Sequence, residues 1–185
     1  MKRTRREKKT KLREGIMTQY TRIFIIGHSG AGKGVLAQAV AQKLGWKFID
    51  ADFSLVPSIG RSLPEILSDA GKQSFCHCLS NILLHQLTQQ NIVVTTDDGI
   101  VDDEKNCALL APEFTVYLQV SLDVQLERIA HNRPLLPVAD YRAFLNKLRQ
   151  ERDHLYEQTA RFTLSSDDGA IESHAMSIIK AMQET

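Results

Sequence analysis

The sequence predicts an α/β fold in which helices cover both faces of a doubly wound parallel sheet. A chain of 185 residues is long enough for one domain with a substantial core. Short apolar runs rich in β-branched residues alternate with longer amphipathic segments, as is typical of such folds. The runs are almost continuously apolar, which indicates strands buried on both faces. The five predicted strands are residues 22–27, 46–50, 91–96, 114–120 and, as an edge strand, 162–166.

The predicted helices follow from start and stop signals between these strands. A helix is predicted over 35–45, because its apolar residues share one side and Gly45 follows as a stop. Another is predicted over 61–71, where Ser62 can cap the first turn and Glu65 lies at capping-box spacing. The remaining helices are predicted over 72–90, 121–130, 141–160 and 169–182.

Composition indicates one globular domain preceded by a basic arm. The chain is 43% hydrophobic and 24% charged, and no run approaches the ~18 apolar residues of a membrane span. Residues 1–16 carry a formal charge of +6, whereas the rest carries −5. We expect a disordered arm over 1–16 and a folded domain over 17–185, with weak contact of the arm to nucleic acid or an acidic surface as the alternative. Three cysteines without framework spacing indicate a reducing, cytoplasmic setting, and we expect a monomer.

The clearest motif is IGHSGAGKGV, residues 26–35, which fits G-x-x-x-x-G-K between a predicted strand and a predicted helix. In such a loop successive backbone N–H groups point at phosphate oxygens, and the positive end of the helix adds to binding. Lys33 would reach the β and γ phosphates of a nucleotide. The predicted nucleotide-binding set is Gly27, Ser29, Gly30, Ala31, Gly32, Lys33, Gly34 and Val35.

The metal end of this loop is unusual. Gly34 stands where a Ser or Thr hydroxyl usually ligates magnesium, and Val35 offers no hydroxyl either. Asp97 and Asp98 follow an apolar strand, the position from which many phosphate-loop enzymes supply a second magnesium ligand. We expect one of these two carboxylates to make the metal contact that Gly34 cannot. A solvated turn without a metal role is the alternative.

Six further motifs follow the phosphate loop, namely FIDAD (48–52), GRSLPEIL (60–67), GKQSF (71–75), VYLQVSLDVQLERI (116–129), RPLL (133–136) and RDHLYEQTA (152–160). With these motifs in family order, the chain resembles the shikimate kinase family from about residue 22 to 183. The resemblance implies a P-loop NTPase-like three-layer αβα fold with a small lid. It also implies ATP-dependent, Mg²⁺-dependent phosphorylation of a small hydroxylated acid, by default shikimate, in aromatic amino acid biosynthesis.

The resemblance further implies roles for five side chains. Asp50 would orient magnesium through water, and Asp52 would bind substrate hydroxyls and help deprotonate the attacking one. Arg128 would flank the adenine. Arg133, on the lid, would stabilise the transferred charge, and Arg152 would pair with a substrate carboxylate.

The departures from the family pattern fall in the substrate half. Cys76 stands where the family has a carboxylate-binding arginine, and DDG (97–99) stands where it has G-G-G, so that only Gly99 remains to approach the substrate. Two like charges 4 Å apart repel by about 4 kcal/mol at an effective dielectric near 20, so a substrate carboxylate is harder to accommodate. The alternatives are a diverged kinase of a gluconate-like or polyol substrate and a catalytically impaired nucleotide-binding protein.

Overall fold

A computed structural model describes residues 19–52, 69–132 and 141–185 of the chain. Its centre is a five-stranded parallel sheet in the order β2-β3-β1-β4-β5. The strands are β1 Arg22–Ile26, β2 Lys47–Ala51, β3 Ile92–Thr96, β4 Phe114–Gln119 and β5 Phe162–Ser165. Each lies within one residue, at either end, of the strand predicted from the sequence, so the predicted sheet is confirmed.

Helices connect these strands across both faces of the sheet. They are α1 Lys33–Leu44, α2 Asp69–Gln86, α3 Glu104–Leu110, α4 Leu122–Asn132, α5 Tyr141–Thr159 and α6 Ile171–Glu184. The prediction that one helix ends at Gly71 and another begins at residue 72 was wrong, because α2 runs through this glycine without a break. The rest of the helix predicted over 61–71 lies outside the described residues, as do the arm over 1–16 and the lid motif over 133–136.

Two short elements after β3 are not predicted from the sequence. The first is a 3-10 helix, Asp98–Asp102, whose start is capped by the Asp97 carboxylate accepting from the Gly99 N–H at 2.9 Å. The second is α3, which the Asp103 carboxylate caps by accepting from the Lys105 N–H at 2.9 Å. Side-chain caps of this kind stabilise helix starts that hydrophobic periodicity does not reveal.

The sheet separates two cores. The β1 residues Ile23 and Ile25 face a cluster that α1 and α6 complete, whereas Phe24 and Ile26 face a cluster built with α2, α3 and α5. All four of these β1 side chains are 0% exposed. Burying a side chain of this size stabilises the fold by about 1.5 to 3 kcal/mol, which explains why the central strand is apolar on both sides.

The parallel arrangement brings the carboxyl ends of β2, β3 and β1 side by side. Asp50 is paired with Thr95 and Ala51 with Thr96 in the ladder between β2 and β3. The segments that follow these strands therefore meet at one edge, which is where open α/β sheets bind ligands. Within the described ranges, no helix is both long and apolar enough to cross a membrane.

Candidate active site

The loop after β1 has a backbone that only glycine adopts readily. Gly27 has a φ of +140°, and a Cβ there would come within 2.6 Å of the Leu118 carbonyl oxygen in β4. Gly32, with a φ of +91°, lies directly before the first residue of α1. The loop can therefore wrap closely around an anion at the positive end of α1.

Lys33 lies beneath this loop and is 3% exposed. Its ammonium donates to the carbonyl oxygens of Gly27 at 2.9 Å and His28 at 3.1 Å. The same nitrogen lies 3.0 Å from a carboxylate oxygen of Asp52. A buried charge is tolerated when it is paired and hydrogen-bonded in this way. Lys33 and Asp52, which are predicted as site residues from separate motifs, are thus in contact at the carboxyl ends of β1 and β2.

Asp50 lies at the end of β2 with its side chain held from two directions. One carboxylate oxygen accepts from the Thr95 hydroxyl at 2.7 Å and from the Asp52 N–H at 3.1 Å. The residue as a whole is exposed. These bonds fix a carboxylate in reach of solvent beside the loop, as a residue that contacts a metal through water requires.

Asp97 is the buried member of the acidic pair after β3, at 3% exposure. One of its carboxylate oxygens caps the 3-10 helix, and the other is buried without a hydrogen-bond partner in the described part of the chain. Burial, and then the charges of Asp98 and Asp52, raise the pKa of Asp97 to about 8. Burial and like charge acting together on one carboxyl group are typical of functional sites.

Arg152 lies at the centre of the region where a substrate carboxylate is predicted to bind. Its guanidinium donates from Nε and Nη2 to the two carboxylate oxygens of Asp102, at 2.9 and 2.6 Å, and its Nη1 lies 3.5 Å from a carboxylate oxygen of Asp98. Burial lowers the pKa of Arg152, but the hydrogen bonds to Asp102 and the charge of Asp98 outweigh it, and the pKa is raised. The arginine predicted to bind a substrate carboxylate is therefore already paired.

Cys76 and Gly99 lie around the same arginine. Burial raises the pKa of the half-buried Cys76 thiol, and the charges of Asp102 and Asp103 raise it further. A Cβ built on Gly99 would lie 3.4 Å from Nη2 of Arg152. Of the four residues selected for the acceptor end, the structure thus places Cys76 and Gly99 near Arg152, whereas Asp52 is paired with Lys33.

Arg128 links the phosphate loop to the residue that follows β5. Its Nη1 donates to the carbonyl of Ala31 at 3.1 Å and to the hydroxyl of Ser166 at 3.0 Å, and its Nη2 donates to the carbonyl of Ser166 at 2.5 Å. Gly34 and Val35, at the start of α1, face outward. Beyond its own helix and chain neighbours, no atom of the described residues lies within 4 Å of a Cβ built on Gly34, and Val35 is 61% exposed. Arg133 lies outside the described residues.

Three polar residues of the site are not selected from the sequence. Asp102 had one available signal, since it belongs to a second acidic pair close behind DDG. Gln125 is 1% exposed and donates to the Ser29 carbonyl at 2.8 Å, but a lone glutamine in an amphipathic helix gives no such signal. A carboxylate oxygen of Asp153 lies 2.6 Å from Nε2 of His28, but the two residues are 125 positions apart in sequence, so no local pattern indicates the pairing.

Together, the parallel sheet, the glycine loop at its carboxyl edge and the buried lysine define a P-loop protein that binds nucleotide phosphates. A family model described as shikimate kinase matches residues 29–183. The shikimate kinase of Halorhodospira halophila is 36% identical over 167 residues, covering 88% of this chain and 94% of the relative. That of Vibrio parahaemolyticus is 33% identical over 172 residues, covering 91% of this chain and 99% of the relative.

A solved structure agrees with these relatives. Shikimate kinase from Acinetobacter baumannii in complex with shikimate superposes with a TM-score of 0.77 at 28% identity, covering 90% of this chain and 95% of that one. The chain belongs to the shikimate kinase family. It is accordingly a phosphotransferase, and the predicted P-loop kinase fold is confirmed.

Proposed function

We propose that the protein transfers the γ-phosphoryl group of ATP to a hydroxyl of shikimate. The observation that carries this proposal is the 3.0 Å contact between Lys33 Nζ and an Asp52 carboxylate oxygen. It joins the group that would bind the β and γ phosphates to the group that would receive the hydroxyl proton. Phosphoryl transfer depends mainly on positioning and charge stabilisation, so these two groups must be adjacent.

In the proposed reaction, the N–H groups of residues 27–32 and the helix end hold the phosphates. The Lys33 ammonium exchanges its carbonyl and Asp52 contacts for phosphate oxygens, and it stabilises the charge that develops on the transferred group. Asp52, released from the lysine, accepts a hydrogen bond from the attacking hydroxyl. It takes the hydroxyl proton as the bond from that oxygen to the γ-phosphorus forms, while the bond from the γ-phosphorus to the bridging oxygen breaks and ADP leaves. Arg152 binds and orients the acceptor through its guanidinium, and Gly99 lets the backbone approach it. Cys76 lines the acceptor space without adding charge.

Members of the family use ATP with Mg²⁺, and we assign the protein's metal contacts to Asp50 and Asp97. When bound, the ion neutralises charge on the phosphates. Such ions usually need only one or two carboxylates beside phosphates and water. The unpartnered buried oxygen of Asp97 fits this requirement. Asp98 fits it less well, because its carboxylate faces Arg152.

The metal assignment predicts opposite effects of two substitutions. Asp97→Asn should raise the Mg²⁺ concentration needed for tight ATP binding by about tenfold, the effect of one hydrogen bond to a charged group. Gly34→Ser should lower it, because a new Cβ meets no neighbouring element among the described residues and the hydroxyl supplies the missing ligand. Calorimetric titration of ATP at graded Mg²⁺ measures both, with Gly34→Ala as the matched control. Unchanged Mg²⁺ dependence in Asp97→Asn would refute the assignment.

A coupled ADP-release assay with shikimate, gluconate and a panel of polyols tests the activity itself. We expect turnover with shikimate, and a fall in kcat of about a hundredfold or more in Lys33→Met, as when a transition-state contact is removed. Clear ATP binding without turnover on any acceptor would instead identify a nucleotide-binding protein. Turnover confined to gluconate or a polyol would identify a diverged kinase.

The remaining assignments concern Arg128, the oligomeric state and the cellular setting. We propose that Arg128 flanks the adenine, since it already lies against the loop carbonyls. We propose a monomer in a reducing, cytoplasmic setting, which the free thiols of all three cysteines favour. The roles predicted for Arg133 and for the arm over 1–16 stay predictions.

A further inference from the structure

One contact in the acceptor half bears directly on how a carboxylate could bind there. Arg152 presents its fork, Nε and Nη2, to the two carboxylate oxygens of Asp102. This side-on arrangement is the geometry in which a guanidinium binds a carboxylate most strongly. It is also the geometry that a substrate carboxylate would need from the same arginine.

We propose that Asp102 is a specificity-determining residue that occupies the fork of Arg152 in place of the acceptor's carboxylate. The inference rests on the proposed function, because it concerns the acceptor of that same reaction. An acceptor that carries a carboxylate must displace Asp102 before it can pair with Arg152. The affinity for such an acceptor is lowered by the strength of the internal pair, and the affinity for an uncharged acceptor is not.

The other side of the guanidinium offers no free alternative. Nη1 of Arg152 faces the Asp98 carboxylate at 3.5 Å, and the backbone of Asp98 is held by the Tyr156 hydroxyl, which donates to its carbonyl at 2.5 Å. Cys76, whose pKa is raised by burial and by the charge of Asp102, supplies no positive charge. A carboxylate acceptor would therefore bring a third negative charge to one guanidinium unless one of the internal carboxylates leaves.

Asp102 is the internal carboxylate that can leave. Its side chain is 37% exposed, whereas that of Asp98 is 17% exposed. It is the last residue of the 3-10 helix, and the cap of α3 is made by the next residue, Asp103. A rotation of the Asp102 side chain toward water therefore breaks the pair with Arg152 without disturbing either helix start.

The test is Asp102→Asn, which keeps the shape and removes the charge. We expect the KM and the calorimetric Kd for shikimate to fall about tenfold, since a neutral amide competes poorly for a guanidinium. The KM for ATP should stay within about twofold, because the phosphates are assigned to the glycine loop and Lys33 and not to Asp102 or Arg152. The methyl ester of shikimate, which lacks the carboxylate charge, should bind equally well to both proteins.

Asp103→Asn is the matched control, because asparagine preserves the cap of α3 while one negative charge is removed nearby. Its Kd for shikimate should change less than twofold. Weaker or unchanged shikimate binding in Asp102→Asn would overturn the inference, and weaker binding would assign Asp102 the opposite role of holding Arg152 in place. An equal gain in Asp103→Asn, or an equal gain for the methyl ester, would also overturn it. Failure of turnover with improved binding would count against the proposed function alone.

Discussion

Removing the hydroxyl of Tyr156, whose ring is stacked on that of Tyr117, should destabilise the fold measurably. The Tyr156 ring is 0% exposed, and its hydroxyl donates to the Asp98 carbonyl at 2.5 Å. Tyr156→Phe keeps the ring stacked on Tyr117, whose centroid is 5.0 Å away, but leaves that carbonyl without its donor. An unsatisfied polar group of this kind costs about 1 to 3 kcal/mol. At about 2 to 4 °C per kcal/mol for a chain of this size, Tm should fall by about 2 to 12 °C.

Tyr117→Phe provides the matched control, because the same change is made in the other ring of the stack. The Tyr117 hydroxyl donates to Asp153 at 3.2 Å, and the Asp153 side chain is 38% exposed, so water can replace the lost donor. We expect a cost of about 0.5 to 1.5 kcal/mol there. Urea unfolding and thermal melts of both variants decide the matter. A loss of less than about 1 kcal/mol in Tyr156→Phe, or a larger loss in Tyr117→Phe than in Tyr156→Phe, would refute the reasoning.

Two further predictions concern the phosphate loop. Gly27→Ala should destabilise the protein by about 1 to 3 kcal/mol and abolish tight ATP binding, since its Cβ would lie 2.6 Å from the Leu118 carbonyl oxygen. Calorimetry of ATP binding checks this. Gly34→Ala is the control, because its Cβ meets no neighbouring element among the described residues. Burial lowers the pKa of His28 despite the opposing hydrogen bond and charge of Asp153. The unfolded chain therefore binds a proton more readily, and stability should fall as pH drops below about 6.5. Urea unfolding of His28→Gln should show a flatter decline over that range, and an identical slope would contradict the burial argument.

Much of the fold is predictable because its signals are local. The strands are apolar runs, and α1 lies between a glycine loop and a glycine stop, so each element can be recognised in a short window. The 3-10 helix Asp98–Asp102 and α3 escape prediction because their starts depend on single carboxylate caps in a polar stretch. The continuation of α2 through Gly71 escapes it because packing along a long helix outweighs the preference of one glycine.

The site likewise has residues that local sequence signals identify and contacts that they do not. Lys33, Asp52 and Asp97 can be selected from the sequence because each stands where a strand or loop ends, and parallel strands bring such ends together. Which of these charged groups contact one another cannot be predicted from the sequence, because it depends on distances between segments. The pairing of Arg152 with Asp102 joins residues 50 positions apart and requires the 3-10 turn that no local pattern reveals.

The ion pairs of the site give both ligands the same kind of binding step. Lys33 is held by Asp52 in the nucleotide half, and Arg152 is held by Asp102 in the acceptor half. Each cation can contact a ligand anion only after an internal carboxylate gives way, so each affinity is the difference between two pairings and not the strength of one. In the nucleotide half the released carboxylate is the proposed base, so displacement by phosphate also frees the group that the reaction needs. In the acceptor half, the proposal gives the released Asp102 no part in the transfer, so its pairing with Arg152 would weaken the binding only of acceptors that carry a negative charge.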